Sequence, residues 1–213
     1  MTLVTAIFGG RDRPVVLPAS LDVDDRVMFT DGEGRPGWRV VRTLGGSDPR
    51  RAAREIKTRV LDHVDGDVVV WVDGRIALTA VPLRPLLRHA LLETDVAGYP
   101  HPWRRCLYDE ARECAKLQLA PSDRIDAQVS EYRAAGMPEH AGLWNTMVLA
   151  RRRSAATLEL GRAWWAEIEK HTLRDQISFP FVLWRDGRAC AKLGPDVYAP
   201  RSSRHFKRGR HAK

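Results

Sequence analysis

Short apolar runs alternate with amphipathic stretches along this chain. Leu3-Val4-Thr5-Ala6-Ile7-Phe8 is stopped by Gly9-Gly10, which predicts a buried strand. Val27-Met28-Phe29-Thr30, ended by Asp31-Gly32, and Trp38-Arg39-Val40-Val41-Arg42 predict two more. Asp48-Pro49 reads as an N-cap followed by proline at the first helical position. The helix it opens places Ala53, Ile56, Val60 and Val64 on one face. Asp65-Gly66-Asp67 then turns the chain into Val68–Val72, the run expected to be most strongly buried. This order predicts an open, mainly parallel sheet within residues 1–90.

The second half reads as mostly helical. Leu107, Ala111, Cys114, Ala115 and Gln118 share a face, which makes Cys106 and Cys114 small core residues. Ile125, Val129 and Tyr132 mark another helix, ended by Ala135-Gly136-Met137-Pro138. Leu143–Leu149 is a candidate strand, and Leu158–Ile168, with Trp164-Trp165, is helical. Thr172–Trp184 predicts a last helix in which Pro180 demands a kink or a late start. The expected fold class is α/β: one domain over residues 1–200, a mainly parallel central sheet flanked by helices with a helical second half, and a flexible basic tail over 201–213.

Composition narrows the class. With 213 residues, 44% hydrophobic and 29% charged, the chain can bury one core, and wholesale disorder is excluded. The longest uninterrupted apolar run, Val68–Val72, is far shorter than a membrane span, and Met1–Thr5 lacks the charged and apolar regions of a signal peptide. Cys106, Cys114 and Cys190 form no Cys-x-x-Cys motif. The expectation is a cytoplasmic protein without membrane contact. The net charge is +8, but the thirteen residues from Arg201 to Lys213 hold six basic residues and no acid. Such a tail could hold a polyanion or merely aid solubility.

There is no Walker, Gly-x-Ser-x-Gly or His-Glu-x-x-His sequence. The chemistry must come from polar residues at strand ends and helix starts, where open α/β sheets place their ligands. Thr5-Ala6-Ile7-Phe8-Gly9-Gly10, Phe29-Thr30-Asp31 and Trp38 stand at such places. Arg51-Ala52-Ala53-Arg54-Glu55-Ile56-Lys57 and Val70-Trp71-Val72-Asp73-Gly74-Arg75-Ile76 follow in order. His101-Pro102-Trp103-Arg104, Tyr108–Ala111, Gln128, Tyr132-Arg133, Trp164–Ile168 and Arg174-Asp175-Gln176 complete the set. Together they resemble a glycosyltransferase-like family of plants, bacteria and phages, long carried as a domain of unknown function. The resemblance implies a GT-A-like, Rossmann-related fold that binds a nucleotide sugar.

The resemblance implies roles for individual residues, and each has a structural alternative. Asp73 falls where GT-A enzymes carry Asp-x-Asp, whose carboxylates hold Mg²⁺ or Mn²⁺ against the donor diphosphate. Arg75 stands where the second acid would be, and a guanidinium there could contact the diphosphate directly. The alternative for Asp73-Gly74 is a type I′ hairpin turn joining Val68–Val72 to Arg75–Thr79. Asp175 and Gln176 are the catalytic candidates, as base or electrostatic partner near the acceptor. Against this, Thr172-x-x-Asp175 matches a capping box. Ala6, Phe8, Gly9, Asp31 and Lys57 are donor-binding candidates; apart from the resemblance, Lys57 reads as a solvated helix lysine. His101 and Arg104 are acceptor or phosphate candidates, or plain loop.

The function so implied is transfer from a nucleotide-diphosphate sugar, a UDP-sugar above all, to an acceptor hydroxyl. A hydroxymethylated base in phage DNA would suit the basic tail; a glycan, protein or small molecule would not need it. The competing class is a non-catalytic nucleic-acid-binding module on the same fold.

Overall fold

The computed structural model describes residues 1–10, 12, 17–193 and 203–208. The chain begins β1 (Thr2–Ile7), β2 (Asp25–Thr30), β3 (Arg39–Arg42), α1 (Pro49–Thr58), α2 (Val60–His63) and β4 (Val68–Val72). It continues β5 (Ile76–Leu78), α3 (Arg84–Ala90), β6 (Val96–Pro100), α4 (Leu107–Lys116) and α5 (Ser122–Ala134). Then come β7 (Trp144–Arg152), α6 (Ala155–Lys170), α7 (Asp175–Arg185), β8 (Ala191–Lys192) and β9 (Phe206–Arg208). The central sheet has seven strands in the order β3-β2-β1-β4-β7-β6-β8. Strand β7 runs against β4 and β6, and the other neighbouring pairs are parallel. The architecture is therefore the mainly parallel α/β sheet flanked by helices that the apolar pattern predicts.

Alternation along the central strands feeds two cores. In β4, Val69 and Trp71 join the core beneath α1, α2 and α4–α7, while Val70 and Val72 face the opposite core. That second core is closed by α3, the small sheet of β5 and β9, and Leu21 and Trp38. Both faces of β4 are dry, which is why its sequence is continuously apolar rather than alternating.

Four expectations need correction. The strand expected at Leu143–Leu149 forms as β7, but β6 lies where no strand is expected: it also stands inside the central sheet and pairs with β7 through a register shift at Gly98/Tyr99. Val96-Ala97-Gly98-Tyr99-Pro100 hides its strand character because glycine and proline interrupt the apolar run. The Asp73-Gly74 hairpin does not form. Asp73 and Ile76 close a turn (Ile76 N–H to Asp73 O, 2.8 Å), but β5 pairs with β9, and neither Gly74 nor Arg75 has the positive φ of a type I′ turn. The Thr172–Asp175 capping box is absent: Arg174 caps α7 without a side-chain bond. Pro180 sits inside α7, which starts only at Asp175.

The fourth correction concerns the tail. Much of it lies outside the described residues, but Ser203–Arg208 belongs to the fold. Residues 206–208 pair antiparallel with Ile76–Leu78, Phe206 is fully buried, and its ring meets Tyr99 edge-on. The Tyr99 hydroxyl bonds Ser203 at 2.8 Å. One apolar residue among bases therefore anchors the segment, with Arg204 and Lys207 left exposed. Phe206→Ala should cost about 3 kcal/mol or more in urea unfolding, as large-to-small changes of buried aromatics do; an unattached tail would show no change.

Candidate active site

A cleft of about 830 Å³ opens at the carboxyl ends of β1 and β4 and is walled by the start of α1. Crossing from β1 to β2 and from β1 to β4 in opposite directions creates such a crevice at a sheet's switch point. Of the donor candidates, Ala6, Phe8, Gly9 and Arg75 line it, as does Asp73. Gly9 takes φ +62°, and a side chain there would strike Pro49, so the chain can leave β1 and pass α1 only with glycine. Asp31 lies outside the cleft wall and accepts the Gly9 N–H on both oxygens (3.1 and 3.0 Å). It fixes the exit of β1.

The wall is rich in guanidinium groups: Arg50, Arg54, Arg75 and Arg174 all line it. Asp48, the N-cap of α1, accepts from Arg50 and Arg51 N–H at 2.9 and 3.0 Å. The helix start is thus already satisfied by a carboxylate, which leaves the arginine side chains as the cleft's groups able to pair with an anion. A smaller hollow of about 360 Å³, which includes Trp165, adjoins the cleft and shares Phe8, Ser47 and Asp48 with it.

Beneath the cleft lies a buried ion cluster. Lys57, in the last turn of α1, is fully enclosed. Its Nζ lies 2.6 Å from Asp175 Oδ2 and 3.2 Å from Asp73 Oδ1. Asp73 Oδ1 also accepts from Trp71 Nε1 at 2.8 Å, and Asp175 Oδ2 from the Thr146 hydroxyl at 2.8 Å. Arg54 approaches Asp175 Oδ1 at 3.5 Å. Burial alone would raise the Asp175 pKa, but Arg54 and then Lys57 outweigh it and hold the carboxyl well below its ordinary range. Such an acid is a fixed anion and a poor proton acceptor, which disfavours the base among the two roles expected of Asp175. Gln176 is turned toward the Trp144 carbonyl at 3.4 Å.

Lys57 is held from behind by Arg151, a residue that no sequence pattern singles out. Arg151 is fully buried in β7 and donates to the carbonyls of Lys57 and Thr58, the latter at 2.6 Å. A cation on the last carbonyls of α1 is favourable there. Burial pushes the guanidinium down to about 9, still charged at neutral pH.

His101 and Arg104 do not line the cleft. His101 Nδ1 accepts the Arg104 N–H at 3.1 Å, and Arg104 Nε donates to the buried Glu110 at 2.6 Å. They shape the loop before α4. Gln128 likewise is structural, linking the hydroxyls of Thr172 and Tyr132, the latter bonded to Glu167.

The divalent ion implied for Asp73 can be tested against these groups. A hard dication needs several oxygen ligands. Asp73 Oδ1 and Asp175 Oδ2 already share the Lys57 ammonium, and Arg75 replaces the second acid of Asp-x-Asp. These residues do not fit a divalent ion. Among the described residues one group could hold a metal, Cys106, Asp109 and His140, with ligand atoms within 4.8 Å of one another. None of the three lines the cleft.

The profile of the TOD1/MUCI70 glycosyltransferase-like domain matches residues 36–194. This chain belongs to that family. No curated protein sequence matches it. Among solved structures, glucosyl-3-phosphoglycerate synthase from Mycobacterium tuberculosis with phosphoglyceric acid is 15% identical, with a TM-score of 0.39. The same enzyme with Mn²⁺, uridine diphosphate and glucosyl-3-phosphoglycerate gives 14% and 0.38. Each alignment covers 91% of this chain and 69% of the synthase. No helix among the described residues is long and apolar enough to cross a membrane.

The cluster generates a pH prediction. The folded pKa of Asp175 lies below its unfolded value, so its contribution to stability is present above the ordinary carboxylate range and drains away as pH falls beneath it. Asp175→Asn should lose about 3 kcal/mol at neutral pH, because Lys57 and Arg54 lose a buried counter-charge. The variant should also show a flatter acid limb than the wild type in denaturant titrations at pH 7, 4 and 3. Parallel limbs would show that Asp175 does not carry the charge balance.

Proposed function

We propose that this protein transfers a sugar from a nucleoside-diphosphate donor, a UDP-sugar, to an acceptor hydroxyl. The observation that carries this reading is the guanidinium-lined cleft at the carboxyl ends of β1 and β4, in a chain of a glycosyltransferase-like family. The nucleoside lies against Ala6, Phe8 and Gly9, where backbone and a small residue allow close approach. The diphosphate is taken by Arg75 with Arg50, Arg54 and Arg174, which offer paired N–H donors to phosphate oxygens. As the glycosidic bond breaks, negative charge gathers on the departing diphosphate, and fixed cations stabilise that charge more than the ground state. Asp73 faces the cleft with its side chain part-exposed, and its carboxylate stabilises positive charge developing at the anomeric carbon. Asp175 holds Lys57, and through it Asp73, in place.

Binding of UDP should raise the melting temperature, since a ligand of the native state alone stabilises it. Arg75→Ala should weaken UDP about tenfold, and Asp73→Asn should leave a folded protein whose transfer or donor hydrolysis is slowed about a hundredfold. No thermal shift with any nucleoside diphosphate would remove the donor assignment. Asn-Gly suits a turn as well as Asp-Gly does, so full activity in Asp73→Asn would return that residue to a purely structural role.

For the acceptor, the basic C-terminal segment favours hydroxymethylated duplex DNA. Because Phe206 is core, the test is Arg204→Ala with Lys207→Ala rather than truncation. This pair should weaken salt-sensitive, sequence-tolerant DNA binding. Equal binding by both proteins, together with no transfer to hydroxymethylated DNA, points instead to a glycan, protein or small-molecule acceptor.

A further inference from the structure

The ammonium of Lys57 occupies a place usually associated with a metal ion: between two carboxylates, directly under a cleft lined by phosphate-binding side chains. It is fully buried on a side chain that more commonly lies in solvent. Its two carboxylate partners come from the end of β4 and the start of α7, and its backbone is pinned by Arg151. It also lies 5.8 Å over the Trp71 ring. Every one of these contacts keeps Nζ at one point. A dication brought to the same two carboxylates would meet the ammonium within a few ångströms, and at that range repulsion between like charges in a partly dry site is worth several kcal/mol. Expelling Lys57 instead would leave α1 without its buried anchor.

We propose that Lys57 is the resident cation of the donor site, doing for Asp73 and Asp175 what a divalent ion would otherwise do, so that the nucleoside diphosphate binds without metal. The proposal rests on the donor reading above and assigns Lys57 a positioning role. It fixes Asp73 at the cleft surface, while Arg75, in place of the second acid, takes the phosphate contact that an ion would mediate.

Two measurements on the full chain test it. Titration with Mn²⁺ followed by electron paramagnetic resonance, without nucleotide, should show no ion held through Asp73 in the wild type. Lys57→Ala should gain a site that Asp73→Asn then abolishes in the double variant. Calorimetric titration with UDP should give the same affinity, within about twofold, in EDTA and in Mn²⁺. Stoichiometric Mn²⁺ bound by the wild type and lost in Asp73→Asn would overturn the proposal, as would UDP binding that EDTA abolishes. The wild-type and Asp73→Asn arms decide the matter even where Lys57→Ala fails to fold. If UDP binds in neither condition, the donor reading fails, and the Mn²⁺ titration still decides the cation.

Discussion

A single ammonium group organises the cleft side of this molecule. Lys57 carries its charge into the interior, where a lone ion would be strongly penalised, and is stable there only because two carboxylates meet it, one of them oriented by the Thr146 hydroxyl. That requirement fixes four elements against each other: α1, the end of β4, β7 through Thr146, and the start of α7. Removal of any one partner leaves a buried charge unbalanced. The rigidity of the cleft floor follows from this. Of the arginines that line the cleft, Arg54 is tied to this network through Asp175, while Arg174 pairs with Glu110.

The arrangement separates two tasks between two aspartates. Asp175 is enclosed, charged at neutral pH and paired with Lys57. Asp73 shares the same cation but reaches the cleft. The N–H of Trp71 holds the inner oxygen of Asp73 in one orientation. An electrostatic site of this kind gains from having its charges placed before the substrate arrives, because no dipoles must then turn during the reaction.

Much of this was legible from local pattern. The apolar run through Val68–Val72, the Asp48-Pro49 helix start and the Gly9-Gly10 stop each follow from steric and burial rules acting within a few residues. Strand β6 was not legible, because Gly98 and Pro100 weaken its strand character while its pairing partner lies far along the chain. Lys57 was misread in isolation for the same reason. A lysine on a helix is expected in solvent, and what buries it is a carboxylate 118 residues later. Arg151 lies just beyond the strand expected at Leu143–Leu149, among the basic residues 151–153, where nothing in the pattern marks it. Its partners are backbone carbonyls, which leave no trace in side-chain pattern. Phe206 was overlooked among the surrounding bases, although an aromatic residue in a charged stretch is a reason to look for an anchor. Conversely, Glu110, Gln128 and Arg133, which helped carry the family resemblance, prove to be clamps: Arg133 lies 4.0 Å over the Tyr108 ring and pairs with Glu139.

The ion cluster has a consequence for biosynthesis. Lys57 and Asp73 leave the ribosome long before Thr146 and Asp175, and domains form as their parts become available. Until α7 is made, the end of α1 lacks the counter-charge that permits its burial, so the floor of the cleft stays hydrated and unsettled. The nascent chain therefore cannot present a finished cleft floor prematurely. Its assembly is a late event, gated by translation of one aspartate near the end of the domain.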